Sequence, residues 1–163
     1  MSSLDELFQQ LPEWVEVESR KSKRAVIKAT CVRDSGALGD VYSLVVEQLA
    51  SDRIKIYETM AGQKLPKCCV ERHINSDSSF CLHLDSSKPV RSPMAARDWW
   101  NSLARYLSNQ EYAARFGRWP IHQGLSHGDA AITQVEMERL ADAVGWKDEV
   151  LSSIFRVETR LLE

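Results

Sequence analysis

Chemistry-bearing side chains concentrate in one run of the chain, Arg72-His73-Ile74-Asn75-Ser76-Asp77-Ser78-Ser79-Phe80-Cys81-Leu82-His83-Leu84. A short strand ending near His73, a polar turn, and then Cys81 between two apolar residues would hold one sulfur at a fixed point of a surface loop. Thiolate is intrinsically nucleophilic, and neighbouring donors or cations activate it, so Cys81 is a candidate nucleophile. The other reading of the same residue is a loop cysteine packed under Phe80 and Leu82. Cys68, Cys69, His73, Cys81 and His83 also raise zinc. Against zinc, the run lacks paired Cys-x-x-Cys or His-x-x-x-His clips, and adjacent Cys68 and Cys69 on a strand point to opposite faces. One of that pair reads as a small core residue. Farther on, Ser126-His127-Gly128-Asp129 sets a histidine and an acid on a turn that could orient a proton-transfer group. The same residues equally make a plain loop in which Gly128 supplies an unusual backbone angle.

The elements that must position Cys81 follow from periodicity. Ser3 and Glu6 have capping-box spacing, and Leu4, Leu7, Phe8 and Leu11 form a helical stripe that Pro12 ends. Trp14-Val15-Glu16-Val17-Glu18 alternates as a half-buried strand does, and Ala25 to Val32 is rich in β-branched residues. Asp34 to Asp40 carries turn chemistry. Val41 to Gln48 fits strand or helix; the turn Ser51-Asp52 and the alternating Arg53 to Tyr57 favour strand. A fifth short strand around Lys67 to His73 would complete an antiparallel meander.

The second half is helical. Ser92-Pro93 is an N-cap followed by the residue that favours the first helical position, and Trp99, Leu103, Tyr106 and Leu107 share a face to about Ser108. Trp99 and Trp100 are expected to divide between the core and a partly exposed groove. Thr133 and Glu136 repeat the capping box, with Met137, Leu140, Ala141 and Val144 as a stripe and Gly145 as its stop. A last helix carries Val150, Leu151, Ile154 and Phe155. The class is α+β: a helix, an antiparallel sheet, an active loop, then helices.

At 163 residues, one domain spanning residues 1–163 is the economical division. A net charge of −2 offers no basic field for nucleic acid or an anionic membrane. The cluster Arg20-Lys21-Ser22-Lys23-Arg24 reads as a hairpin tip. No apolar run has the length of a membrane span, and the first residues lack a cationic start and apolar core, so a cytoplasmic protein with thiols and not disulfides is expected.

Cys81 and the order of elements resemble the ubiquitin-conjugating enzymes, in which a helix and a four-stranded meander precede a catalytic cysteine in an extended loop, with helices after it. Ile54-Lys55-Ile56-Tyr57 and Leu65-Pro66-Lys67-Cys68-Cys69-Val70 look like that family's third strand, proline turn and fourth strand. Ile74 to Leu82 is similar, without gaps, to its segment ending in Ile-Cys-Leu. Ser92-Pro93 and the helix behind it look like its Trp-Ser-Pro. Two features depart. Glu71-Arg72-His73 occupies the place of the family's His-Pro-Asn, and the segment between Cys81 and the helix is longer than usual. Both point to a divergent branch similar to bacterial relatives that accompany a ubiquitin-like protein, an activating enzyme and an isopeptidase in anti-phage operons. The resemblance covers residues 1 to about 110 and leaves about 111–163 as a C-terminal helical extension.

The resemblance implies an acyltransferase without cofactor or metal. Cys81 would take the C-terminal carboxyl of a ubiquitin-like protein from an activating enzyme as a thioester, then pass it to a lysine amine. His73 stands where the oxyanion-stabilising Asn would be, Asn75 is the alternative donor, and Asp77 would help orient the lysine. The partners implied are the ubiquitin-like protein, the adenylating enzyme and a target lysine, with no nucleic acid or membrane. Three other readings stay open: an inactive module that only binds ubiquitin-like proteins, a thiol hydrolase using Cys81 with His73 or His83, and a zinc-binding domain.

Overall fold

The computed structural model describes residues 2–33, 35–67, 69, 72–82, 89–120, 137 and 139–150. Helix α1, Ser3–Gln9, is capped one residue earlier than the spacing predicts: Ser2 Oγ accepts from the Asp5 N–H at 3.2 Å, and Asp5 reaches back to the Ser2 N–H. The shift has a use. It frees the Ser3 hydroxyl to accept the Val90 N–H at 2.9 Å, tying the chain before the second helix onto α1. Asp52 and Gln48 take the Ser3 and Leu4 amides, each at 3.1 Å, so the first turn leaves few orphan donors.

Strands β1 (Val15–Lys21), β2 (Arg24–Val32), β3 (Leu38–Gln48) and β4 (Ile54–Glu58) pair antiparallel in chain order, the expected meander. Its inner face carries Ala25, Ile27, Ala29 and Cys31 from β2, Tyr42, Leu44 and Val46 from β3, and Ile56 from β4, all buried. Leu4 and Leu7 of α1 and Trp99, Trp100, Leu103 and Leu107 of the second helix cover that face. Burying each of the larger aliphatic side chains contributes roughly 1.5–3 kcal/mol. Trp99 and Trp100 are both buried; no exposed groove divides them. Trp100 is the hub: its Nε1–H donates to the Leu7 carbonyl at 2.9 Å, and Phe8, Trp14 and Trp99 meet it edge-on.

The fifth strand does not form among the described residues. After β4 comes a 3₁₀ turn, Met60–Gly62, and pairing reduces to isolated bridges: Cys69 with Ile74, Ile74 with Phe80, and Tyr57 with Ser79. Residues 68, 70 and 71 of the expected strand lie outside the described residues, and at its far end His73, with a φ of 56° in the left-handed region, turns the chain back on itself.

Helix α2, Pro93–Phe116, opens as expected, with Ser92 Oγ accepting the Ala95 N–H at 3.2 Å. It runs past Ser108 to Gly117, whose φ of 68° makes the stop. The polar pair Asn109-Gln110 does not end it, because both side chains are buried on the continuing stripe. Toward the C-terminus, residues 139–143 and 147–150 are helical and Gly145 has a φ of 75°. Of the expected stripe only Ala141 is buried, while Met137, Leu140 and Val144 are exposed. Thr133, Glu136, Leu151, Ile154, Phe155 and the Ser126-His127-Gly128-Asp129 turn lie outside the described residues. No helix among the described residues is long and apolar enough to cross a membrane.

Candidate active site

The segment 72–82 folds as two tight reversals docked on the edge of β4. Ile74 and Phe80, both buried, are its anchors. The Phe80 N–H donates to the Ile56 carbonyl of β4 at 2.9 Å, and the Phe80 ring stacks on Tyr106 of α2 with centroids 4.7 Å apart. One residue on, the Cys81 N–H donates to the His73 carbonyl at 2.9 Å. Consecutive amides are thus fixed to opposite neighbours, which pins the backbone that carries the thiol. Cys81 itself is half-buried, and that burial pushes its pKa above the ordinary thiol value. Cys31, Cys69 and Cys81 carry thiols and not disulfides, and Cys31 is sealed in the core.

The four candidate residues fall into two pairs. His73 and Cys81 are joined through the main chain, and the His73 ring is buried against Trp119 at 4.9 Å. Asn75 and Asp77 share the second reversal and meet at Ser79. Asn75 Nδ2 donates to Ser79 Oγ at 3.0 Å, and Ser79 Oγ donates to Asp77 Oδ1 at 2.6 Å. Asp77 also accepts the Ser79 N–H at 3.1 Å and forms an ion pair with Lys55 of β4 at 2.9 Å. The Ser79 hydroxyl first, and then Lys55, hold the Asp77 carboxyl down to about 2. It is an ionised turn-former with committed partners.

Sequence reading missed Lys55, Ser79, Arg72, Tyr106, Gln110 and Trp119. Asp77-Ser78-Ser79 does carry a signal, since an acid bonding the amide two residues on is an Asx turn. Trp119 carried none, lying beyond the point where α2 was expected to stop. The structure has two notable hollows. One, of about 320 Å³, opens between residues 63–67 and the hairpin and is lined by Tyr57, Leu65, Lys67, Asp77 and Phe80. The larger, of about 580 Å³, lies away from the thiol against Arg33, Asp40, Glu111, Arg115 and Phe116.

A family model described as a prokaryotic E2 domain matches residues 14–121, from the start of the sheet through Trp119. The chain belongs to the prokaryotic E2 domain family. Membership makes it a divergent bacterial relative of the ubiquitin-conjugating enzymes, of conjugating-enzyme type, and the partners of such domains in general are a ubiquitin-like protein and an activating enzyme. Cys81, His73, Asn75, Asp77 and the whole of α2 fall inside the matched span. No curated protein and no solved structure matches the chain.

Proposed function

We propose that Cys81 is the acyl acceptor of this E2 domain. Its sulfur attacks the thioester carbonyl carbon presented by the activating enzyme. A tetrahedral oxyanion forms and collapses, the enzyme's thiolate leaves with the Cys81 proton returned to solvent, and a new thioester remains on Cys81. A lysine amine then attacks the same carbon, loses one proton, and expels the Cys81 thiolate to leave an amide. The observation that carries this reading is the pinned, half-buried position of Cys81 within the family's span. Cys31 is fully buried and Cys69 packs against the core.

Both steps pass through an oxyanion, and losing one donor to such a charge typically costs about 10²–10³-fold in rate. His73 is our first assignment, because its main chain is already joined to Cys81. Asn75 is the second, since its amide spends one donor on Ser79. Asp77, ionised and paired with Lys55, acts at most on the approach of a cationic amine. The burial of Cys81 raises its pKa above the ordinary thiol value and so favours the protonated thiol in the resting protein. The setting we propose is a cytoplasmic bacterial defence system; adjacent genes for an activating enzyme and a ubiquitin-like protein would support it.

The test is incubation with the cognate activating enzyme, ATP and ubiquitin-like protein, followed by a non-reducing gel. Wild type should form a reductant-sensitive adduct, and Cys81→Ser should lose it or replace it with a reductant-resistant ester. An unchanged, reductant-sensitive adduct in Cys81→Ser would remove Cys81 from the mechanism. A protein that binds the ubiquitin-like partner yet never forms an adduct would instead be the inactive binding module.

A further inference from the structure

Gln110 is fully buried in the C-terminal half of α2, on a stripe that apart from Asn109 beside it is made of apolar and aromatic side chains. A buried amide is costly unless its donors and acceptor are used. Here one neighbour uses them. Gln110 Nε2 donates to the Arg72 carbonyl at 2.7 Å, Arg72 Nε donates to Gln110 Oε1 at 2.8 Å, and Arg72 also donates to the Gln110 main-chain carbonyl at 3.1 Å. One turn earlier, the Tyr106 hydroxyl lies 3.3 Å from the Arg72 carbonyl and 3.4 Å from the His73 carbonyl, sharing its one proton between them. Burial keeps Tyr106 a neutral phenol, and so a donor.

Those two carbonyls belong to the peptide planes on either side of His73, the planes whose rotation defines its φ and ψ. A histidine in the left-handed region is strained by roughly 1–2 kcal/mol and persists only where its surroundings impose it. The second held carbonyl is also the acceptor of the Cys81 N–H. A continuous chain of bonds therefore runs from Gln110 and Tyr106, through the backbone of Arg72 and His73, to the residue that carries the thiol.

We infer that Gln110 and Tyr106 are positioning residues for Cys81, forcing His73 into its left-handed conformation and so setting where its imidazole and the thiol meet an incoming acyl group. The inference rests on the assignment of Cys81 as the acyl acceptor, but its test need not. Two variants act on the bonds while keeping the packing. Tyr106→Phe removes the shared proton and keeps the stack on Phe80, and Gln110→Glu keeps the acceptor for Arg72 and loses the Nε2 donor.

Two measurements are made on the full chain. In the unloaded protein, iodoacetamide modification of Cys81 is followed by peptide mass spectrometry; each variant should alkylate at least about threefold faster as the thiol leaves its buried setting. With the thioester formed, single-turnover discharge to free lysine should slow at least about tenfold, since small misplacements of reacting groups cost up to about a hundredfold. That loss should appear in the limiting rate at saturating lysine and not in the half-saturating concentration, with the thermal melt within a few degrees of wild type. A purely structural role would move the melt and leave the limiting rate alone. If Gln110→Glu does not fold, Tyr106→Phe decides. If wild type forms no thioester, the conjugation reading fails and the alkylation arm alone judges the positioning. Tyr106→Phe alkylating like wild type, and discharging like it wherever a thioester forms, would overturn the inference.

Discussion

Adjacent residues of α2 serve two different thiols, and the contrast shows what makes a cysteine usable. Gln110 faces Arg72 and the loop of Cys81, whereas Glu111 faces Cys31 and the turn between β2 and β3. Around Cys31 the features that raise its pKa outweigh the nearby Arg33 cation, which favours the thiolate. Cys31 is fully buried, and burial first, then the Glu111 carboxylate that its thiol hydrogen-bonds, push its pKa up to about 12. Glu111 is itself fixed by Arg33 at 2.7 Å and by the Asp40 N–H, with Arg33 lying on the solvent side. The Cys81 thiol is also raised by burial, but it is only partly buried and follows a turn whose main chain holds it in place. Both sulfurs are held firmly. Only one is held where a second molecule can reach it.

The largest expected effect separates chemistry at the two sites. His73→Ala should slow single-turnover discharge of the thioester to lysine by about 10²–10³-fold if the imidazole meets the oxyanion, and His73→Asn should recover part of the rate. Cys31→Ala should leave discharge unchanged. If His73→Ala discharges at the wild-type rate, His73 is a packing residue for Trp119 and Asn75 is the next to test.

Next in size is the reactivity contrast in the unloaded protein. A thiol with a pKa of about 12 is roughly 10⁻⁴ ionised at about pH 8 and Cys31 is also sealed in the core, so iodoacetamide should modify the partly exposed Cys81 clearly faster than Cys31. Because the pKa of Cys81 is raised, its thiolate fraction keeps growing with pH, and its rate should still climb at about pH 9. A plateau near neutral pH would show that a cation or donor outweighs its burial.

Smaller is the effect of disturbing the silent site. A Cβ at Gly39 would run into the Glu111 carboxylate, the far end of a side chain that would have to shift to admit it. Gly39→Ala should displace Glu111 from Arg33 and the Asp40 amide at a cost of about 1–3 kcal/mol, lowering the melt by several degrees. Discharge from Cys81 should hardly change. Slowed discharge would mean that the two corners communicate through α2.

The smallest effect concerns the turn. In an NMR titration the Asp77 carboxyl should have its midpoint at about 2. Its folded pKa is depressed, so the stabilisation it gives is present above the unfolded value and is lost as pH falls through about 2. Asp77 and its Lys55 ion pair are partly exposed, so Asp77→Asn should cost less than about 1 kcal/mol. A midpoint at the ordinary carboxylate value would mean that the Ser79 and Lys55 contacts do not hold in solution.

These contrasts also mark what the sequence could reveal. β1 and β4 were legible from alternation, β2 from its β-branched residues, and β3, which fits a helix as well, from the turn that follows it. The start of α2 was legible because Ser92-Pro93 is local chemistry. The cap of α1 slipped by one because Ser2/Asp5 and Ser3/Glu6 have the same spacing, and only the distant Val90 amide chooses between them. The turn at His73 and the continuation of α2 past Ser108 were both hidden from local pattern. A left-handed histidine has no signature of its own, and Asn109-Gln110 looks like a helix stop until Arg72 is placed beside it. At the candidate site, the run around Cys81 singled that residue out for test, while the contacts of Tyr106, Gln110 and Trp119 depend on long-range packing that no local pattern encodes.

The most direct test of the central claim is to locate the acyl bond itself. Wild-type protein loaded with its ubiquitin-like partner would be quenched at low pH, digested without reductant and sequenced by tandem mass spectrometry. The acyl group is expected as a thioester on the peptide carrying Cys81, and it should vanish on reduction. An acyl group carried instead by Cys69, Cys68 or a lysine, with the Cys81 peptide unmodified, would contradict the assignment of Cys81 as the acceptor.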